Sequence, residues 1–535
     1  MTETGPSGAE NPRGPELRFE VPGETVAAWS PPRDPSAGAL AIAVRPPGGD
    51  EVVRPGPGAI DAALRYGIDL SDLAERYRVT GRAGEVTVIE LPRLHERSRR
   101  SLPWDGLPAT VVFLGVGDLT GDCLRSAGEA LWPVIRSHEV TGVDLGASLT
   151  SQAVDAFVTG VMSASYVRPR YGKKPDDDGL VLEAVIQFLG ASQSAGELSA
   201  TARFAAQLGR AAQMARELTD VPSNIKSPSW LAARCVELAE REGMSASVYD
   251  EAWLRSQGFG GLLAVGRGAE TPPCFVTLTY EPDATAGGLS FGAELPHYVI
   301  VGKGITFDTG GLAIKPREPM ALMKTDMAGA AAAIGAIAAI ARLNVSLRVT
   351  VVLPIAENSF SGAAYRAGDI VTMADGTTVE ITNTDAEGRL ALADAIAWAR
   401  TTLSPDAIID VATLTGAARL ALGTRTAAFY STSDALAELC SDSAASGGEN
   451  VWRLPLPAAY RSAIDSRIAD LRQTAIEGQH AGSIMAALFL ERFAGEADWL
   501  HLDIAGTARG SSPRQGATGF GVQTLARLLV AAADR

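Results

Sequence analysis

The chain has 535 residues, with 62 Asp and Glu against 47 Lys and Arg, five His and four Cys. At about 150 residues per domain this predicts two to four domains, and 46% hydrophobic with 20% charged residues fits an ordinary globular protein with a large core. The net charge of −15 argues against non-specific nucleic-acid binding and against an anionic membrane surface, and the scattered Cys123, Cys235, Cys274 and Cys440 exclude a disulfide scaffold or a Cys-rich zinc module. Those cysteines read as reduced buried thiols in a cytoplasm. The shortage of His speaks against an imidazole metal site.

Residues 1–22, rich in Gly, Pro, Glu and Ser, read as a disordered lead-in without the basic start or apolar stretch of a signal peptide. Residues 23–190 alternate buried strands with helical patterns. Residues 109–117 and 140–146 read as strands, and 121–138 and 150–162 as helices, which implies a mostly parallel sheet. A linker helix is expected within 191–218, and a larger α/β domain over 219–535. Ser227 or Ser229 is placed to cap the helix near Pro228. Strands are expected at 298–302, 347–354, 407–413 and 499–506, and helices at 327–342, 390–402 and 522–533. The longest uncharged apolar run, 327–341, is shorter than the roughly 18–20 residues of a membrane span and reads as a buried helix.

Two glycine-rich segments fail their contexts. GVGDLTG (115–121) has the spacing GxGxxxG rather than a dinucleotide fingerprint. GLSFG (288–292) matches GxSxG but lacks the strand and helix of a nucleophile elbow. HExxH is absent.

The chemistry concentrates in two blocks. VGKGITFDTGGLAIKP (301–316) places Lys303 at the C-terminal end of a strand, where open α/β sheets bind ligands, and follows it with Asp308, three glycines and Lys315. MKTD then brings Asp326 to the start of the Ala-rich helix, where its plain structural role is capping. ITNTDAEGRLALADA (381–395) carries Asp385, Glu387 and Arg389 at period two, which puts all three on one side of an extended segment. Asp308, Asp326, Asp385 and Glu387 would repel one another if packed without cations, and two divalent cations would balance them. Oxygen ligands suit Mg, Mn and Zn. A metal pair a few Å apart can activate water.

These segments, together with ATLTGA (412–417), WRLPL (452–456), HAGSIMAALFLERF (480–493) and HLDIAGTA (501–508), resemble the leucyl (cytosol) aminopeptidase family of two-metal exopeptidases. The resemblance covers most of 200–535, and NTDAEGRL is its most specific motif. It implies an N-terminal macro-like α/β domain and a catalytic α/β domain with a central mixed sheet. It implies one exchangeable metal (Zn or Mn) on Asp308, Asp385 and Glu387, with the Asp385 carbonyl. A tighter metal is implied on Lys303, Asp308, Asp326 and Glu387. Lys315 is the implied electrophile, Arg389 the holder of a bicarbonate that acts as general base, and Met323, Thr413 and Gly416 the lining of the first side-chain pocket. The implied activity is release of N-terminal residues, preferably Leu and other apolar ones, from peptides by a cytoplasmic homohexamer. The other readings are a Cys-Gly-type dipeptidase with the same chemistry, a nucleotide or ADP-ribose binding module in the N-terminal half with catalysis secondary, and a DNA-binding accessory protein using a local basic path such as HERSRR (95–100). Departures from the family pattern are the N-terminal extension, DVPSN at 220–224 in place of a more usual Pro-Pro-Asn, and TRTAAFYST at 424–432.

Overall fold

The computed structural model describes residues 16–32, 34–48, 53–93, 101–146, 149–172, 181, 183–190, 194–282, 295–476, 481–510 and 516–535. The chain forms two compact units, Met1–Arg210 and Ala211–Arg535, and the helix Ala195–Asp220 runs from one into the other. GLSFG and HERSRR fall wholly outside the described residues, as does residue 480 of the HAGSIMAALFLERF segment.

The first unit is built on strands β1 (Glu16–Glu20), β2 (Gly38–Arg45), β3 (Arg54–Pro55), β4 (Val86–Glu90), β5 (Thr110–Gly115), β6 (Val140–Asp144) and β7 (Glu183–Leu189). Their order is β1-β7-β6-β2-β5-β4, with β3 on β2. All neighbours are parallel except β4 on β5 and β3 on β2. β2 and β5 are buried along nearly their whole length, as strands covered on both faces must be. The helices Gly121–Ile135 and Ser151–Ala164 are capped by Thr120 and Thr150, whose hydroxyls accept from Cys123 N and Ala153 N. β1 lies inside the stretch whose composition reads as a disordered lead-in. Its sequence ELRFE alternates, with Leu17 buried and the charged residues outward, and that alternation outweighs the composition of the preceding residues.

The second unit holds β8 (Ser245–Tyr249), β9 (Cys274–Tyr280), β10 (His297–Gly302), β11 (Gly304–Asp308), β12 (Arg348–Asn358), β13 (Ile370–Thr372), β14 (Thr378–Glu380), β15 (Ala407–Ala412), β16 (Thr426–Ser431), β17 (Asn450–Arg453), β18 (Leu471–Arg472) and β19 (Asp498–Asp503). The large sheet runs β17-β16-β19-β15-β10-β12-β9-β8, with β11 on β12. Its centre, β19-β15-β10-β12, is parallel, while β16 on β19, β9 on β12 and β8 on β9 are antiparallel. The sheet is therefore mixed, as expected.

The helix Ala328–Leu343 is buried over Ala328–Ile340, because it is apolar on every side. The helical stretch Met323–Leu343 is long and apolar enough to cross a membrane, but 83% of its most apolar window is buried inside the fold. Helix Glu387–Leu403 packs on the same sheet, and its Asp394 accepts from Leu262 N at 2.8 Å and Ala374 N at 2.9 Å. Ser227 caps the helix Pro228–Glu242 by accepting from Trp230 N, with Pro228 in its first turn, as the sequence suggests.

Candidate active site

The parallel strands β10, β12 and β15 all end on one side of the sheet, and the charged residues gather there. Lys303 follows β10 directly and is almost fully buried. Its Nζ lies 2.8 Å from Asp326 Oδ1, 2.8 Å from Glu387 Oε1 and 3.1 Å from the Thr413 carbonyl oxygen. The Lys303 side chain passes so close to Gly388 that a Cβ there would meet Cε at 2.4 Å, so any side chain at 388 would have to push the end of Lys303 aside. Thr413 Oγ1 donates to Asp326 Oδ1 at 2.8 Å.

Asp308 ends β11. Its Oδ1 accepts from Gly310 N and from Asn358 Nδ2, both at 2.8 Å, and its Oδ2 lies 2.8 Å from Lys315 Nζ. Lys315 also reaches Asp385 Oδ1 at 2.5 Å. Gly310 and Gly311 have φ of +86° and +60°, the left-handed turns that fold the 309–315 loop back over the site. Thr384 fastens this loop by accepting from Ala313 N at 2.8 Å and donating to Gly310 O at 2.7 Å.

Asp308, Asp385 and Glu387 each offer a carboxylate oxygen, all within 4.8 Å of one another. Asp326 joins this cluster through Lys303. Burial, with the neighbouring acids adding to it, raises the pKa values of Asp308 and Asp326, against the pull of the lysines. Burial likewise raises that of Asp385. Burial opposes the ammoniums of Lys303 and Lys315, but the surrounding carboxylates outweigh it and raise both. Two buried oxygens of the cluster, Asp326 Oδ2 and Glu387 Oε2, have no hydrogen-bond partner among the described residues. An unpaired carboxylate oxygen in a buried site is costly unless a cation or donor meets it. Hard oxygen donors converging in this way fit divalent metals.

Arg389 is brought to the edge of the cluster, where its Nη1 donates to Gln473 O at 2.8 Å. Burial pushes its pKa down to about 10, with Glu387 and Asp503 pulling it up. Its buried Nε has no hydrogen-bond partner among the described residues. The extended arrangement expected of Asp385, Glu387 and Arg389 is not what forms. Glu387 opens the helix Glu387–Leu403 while Asp385 stays in the preceding loop, and the bend between them, rather than a strand's alternation, turns both acids inward. Nor does Asp326 cap the Ala-rich helix. That helix has Met327 at its cap position with no side-chain cap bond, and Asp326 turns toward Lys303 and Thr413 instead.

Met323 is half-buried in a short 3₁₀ turn three residues before Asp326. Thr413 belongs to the carboxylate cluster through its hydroxyl. Gly416 is exposed at the start of helix Gly416–Leu422, and a Cβ there would meet nothing within 4 Å.

Three supporting residues escape a reading of the sequence. Asn358 holds Asp308 and also donates to the Thr384 carbonyl at 3.0 Å. Tyr365 donates to that carbonyl at 2.8 Å. Gln473 accepts from Thr382 N and Asn383 N and donates to Ala386 O, which sets the loop carrying Asp385. Asn358 ends a central strand, a position that could have drawn notice; nothing in the local sequence marks Gln473.

With this geometry in hand, comparison with known proteins is decisive. Residues 213–526 match the model of the cytosol aminopeptidase family, catalytic domain. The chain belongs to the cytosol aminopeptidase family. Among curated relatives, a "Probable cytosol aminopeptidase" of Syntrophotalea carbinolica is 40% identical over 441 residues, covering 79% of this chain and 86% of the relative. One of Chlorobaculum tepidum is 42% identical over 384 residues, covering 70% and 74%. Among solved structures, the bottromycin maturation enzyme BotP, also solved in complex with Mn, has a TM-score of 0.75 at 33% identity, covering 93% of this chain and 99% of BotP. As a cytosol aminopeptidase the protein is a metal-dependent peptide hydrolase acting on peptide N-termini.

Proposed function

We propose that this aminopeptidase releases N-terminal Leu and other apolar residues from peptides at a two-metal centre. The observation that carries the reading is the convergence of the Asp308, Asp385 and Glu387 carboxylates beside Lys303 and Lys315, with Glu387 Oε2 and Asp326 Oδ2 left buried without a hydrogen-bond partner among the described residues. Asp308, Asp385 and Glu387, with the Asp385 carbonyl, would hold the exchangeable metal. Lys303, Asp308, Asp326 and Glu387 would hold the tighter one. Two Zn or Mn ions, when bound, supply Lewis-acid activation of water and balance the four acids.

The chain's own residues do the rest. Lys303 must serve as a neutral amine, which only a cation stronger than its present carboxylate partners can impose. Lys315, the more exposed of the two lysines at 16% of its side chain, is placed to donate to the developing oxyanion of the scissile carbonyl. Arg389, with its free buried Nε, would hold a bicarbonate that accepts the proton of the attacking water. Met323, Thr413 and Gly416 would border the first side-chain pocket, Thr413 through its methyl because its hydroxyl is engaged with Asp326. We further read the enzyme as a cytoplasmic homohexamer.

The test is a panel of Xaa-p-nitroanilides with free and acetylated amines. Hydrolysis of Leu and Met substrates, with the acetylated forms at least about a hundredfold slower, supports the reading. Equal rates on blocked substrates would contradict an exopeptidase.

A further inference from the structure

Lys226 lies outside the carboxylate cluster, and its side chain is completely buried. Its Nζ donates to the carbonyl oxygens of Lys324 at 2.8 Å, Thr219 at 2.9 Å and Leu218 at 3.0 Å, and it lies 3.1 Å from Met327 Sδ. All four neighbours are acceptors. A neutral amine would have only two N–H groups for them and would turn a lone pair toward an acceptor, whereas the ammonium has three donors for three carbonyls. Burial and the charge of Lys324 push the Lys226 pKa well down while Asp220 pulls it up; the three carbonyl acceptors, which only an ammonium can satisfy together, act against that push.

Two of these carbonyls come from the last turn of the helix Ala195–Asp220, the end that carries orphan oxygens and the negative pole of the helix dipole. The third belongs to Lys324, two residues before Asp326, and the thioether belongs to the residue after Asp326. One buried cation thus ties the turn bearing Met323 and Asp326 to a helix end about a hundred residues earlier in the chain. Lys324 Nζ repeats the tie by donating to Asp220 O at 2.5 Å.

We propose that Lys226 is a tethered monovalent cation. Its ammonium fills a cage of carbonyl oxygens and a thioether that would otherwise suit a potassium or ammonium ion, and so fixes the turn presenting Asp326. The oxygens stand 2.8–3.0 Å from Nζ, farther than the roughly 2.0–2.6 Å of magnesium and calcium sites, so an ion taking the nitrogen's place without movement of the oxygens would be a large, singly charged one. Lys226 is a positioning residue: it touches neither substrate nor metal. The inference rests on the aminopeptidase reading only for its kinetic effect.

K226A leaves the acceptors in place and opens room for an ion, while K226M fills the space with apolar atoms. Melting temperature and kcat/KM on Leu-p-nitroanilide are read in choline chloride and in KCl, NaCl or NH4Cl at equal ionic strength. Wild type should be indifferent to the cation. K226A should lose about tenfold or more in kcat/KM in choline, and potassium or ammonium should restore most of it together with the melting temperature. K226M should not respond. A wild type strongly activated by potassium, a K226A enzyme equal to wild type in choline, or a K226A protein that no monovalent cation restores or folds would each overturn the proposal. The melting measurement reads the cage without catalysis. An inactive wild type would therefore sink the aminopeptidase reading and leave this one to be judged separately.

Discussion

Lys315 stands at the mouth of the charge cluster, paired with Asp308 and Asp385 yet partly open to solvent. Its removal should lower kcat by about 10²–10³, the effect of losing one oxyanion donor, with bound metal unchanged by elemental analysis. A K315A enzyme of near-normal kcat would remove it from the chemistry. Gly388 makes the opposite kind of claim, because its contribution is an absence of atoms. G388A would drive a methyl into Lys303 Cε, which lies 2.4 Å from the Cβ position. The expected outcome is loss of tightly held metal and of activity in a protein that keeps its circular dichroism spectrum. At Gly416, where a side chain would enter open space, G416F should fold normally and reduce kcat/KM on Leu more than on Ala substrates. An unchanged Leu to Ala ratio would place Gly416 away from the pocket.

At the scale of elements, the site depends on two helices pressed against the central strands. Ile337 is fully buried in the helix Ala328–Leu343, eleven residues along the chain from Asp326. I337A should cost about 2–4 kcal/mol in urea unfolding, the usual range for such a cavity, while leaving the KM of the folded enzyme near wild type. Helix Glu387–Leu403 carries a buried titrating group in Asp394, whose pKa is pushed up to about 7 by burial against the pull of three backbone N–H donors. The folded state therefore holds a proton that the unfolded chain releases near its ordinary carboxylate pKa of about 4. Between pH 4 and 7 the native state binds more protons, so this group's contribution to stability falls as pH rises. The melting temperature of D394N relative to wild type should accordingly shift in the variant's favour from pH 4 to pH 8. A constant difference would mean that Asp394 is ionised throughout.

The elements were more legible than the contacts. The helix 522–533 and the strands near 298–302 and 407–413 follow from uninterrupted apolar runs between turn residues, and they form where expected. Composition misled at Glu16–Glu20, where five alternating residues make a strand beside a Gly- and Pro-rich opening. Within the site, the acids were visible because charged residues inside apolar sequence are conspicuous. Their true geometry was not: a helix start and a loop bend, rather than period-two alternation, bring Asp385 and Glu387 together. Gln473 and Lys226 were invisible for another reason. Each acts on backbone groups, some of them from distant segments, and a single polar residue in a loop gives no local sign of such a partner.

At the scale of the whole molecule, the scarcity of His and Cys proves uninformative about metal chemistry. Among the described residues the candidate centre draws on four of the 62 acids and one lysine, with no imidazole or thiolate. A hexamer, the assembly proposed here, should sediment at six times the chain mass, and a clean monomer would contradict that assembly. The most direct test of the central claim pairs metal analysis with hydrolysis of Leu-p-nitroanilide, before and after exhaustive chelation and again after Mn or Zn is restored. The account predicts that activity disappears with the metals and returns with them; hydrolysis that survives removal of both metals would contradict it.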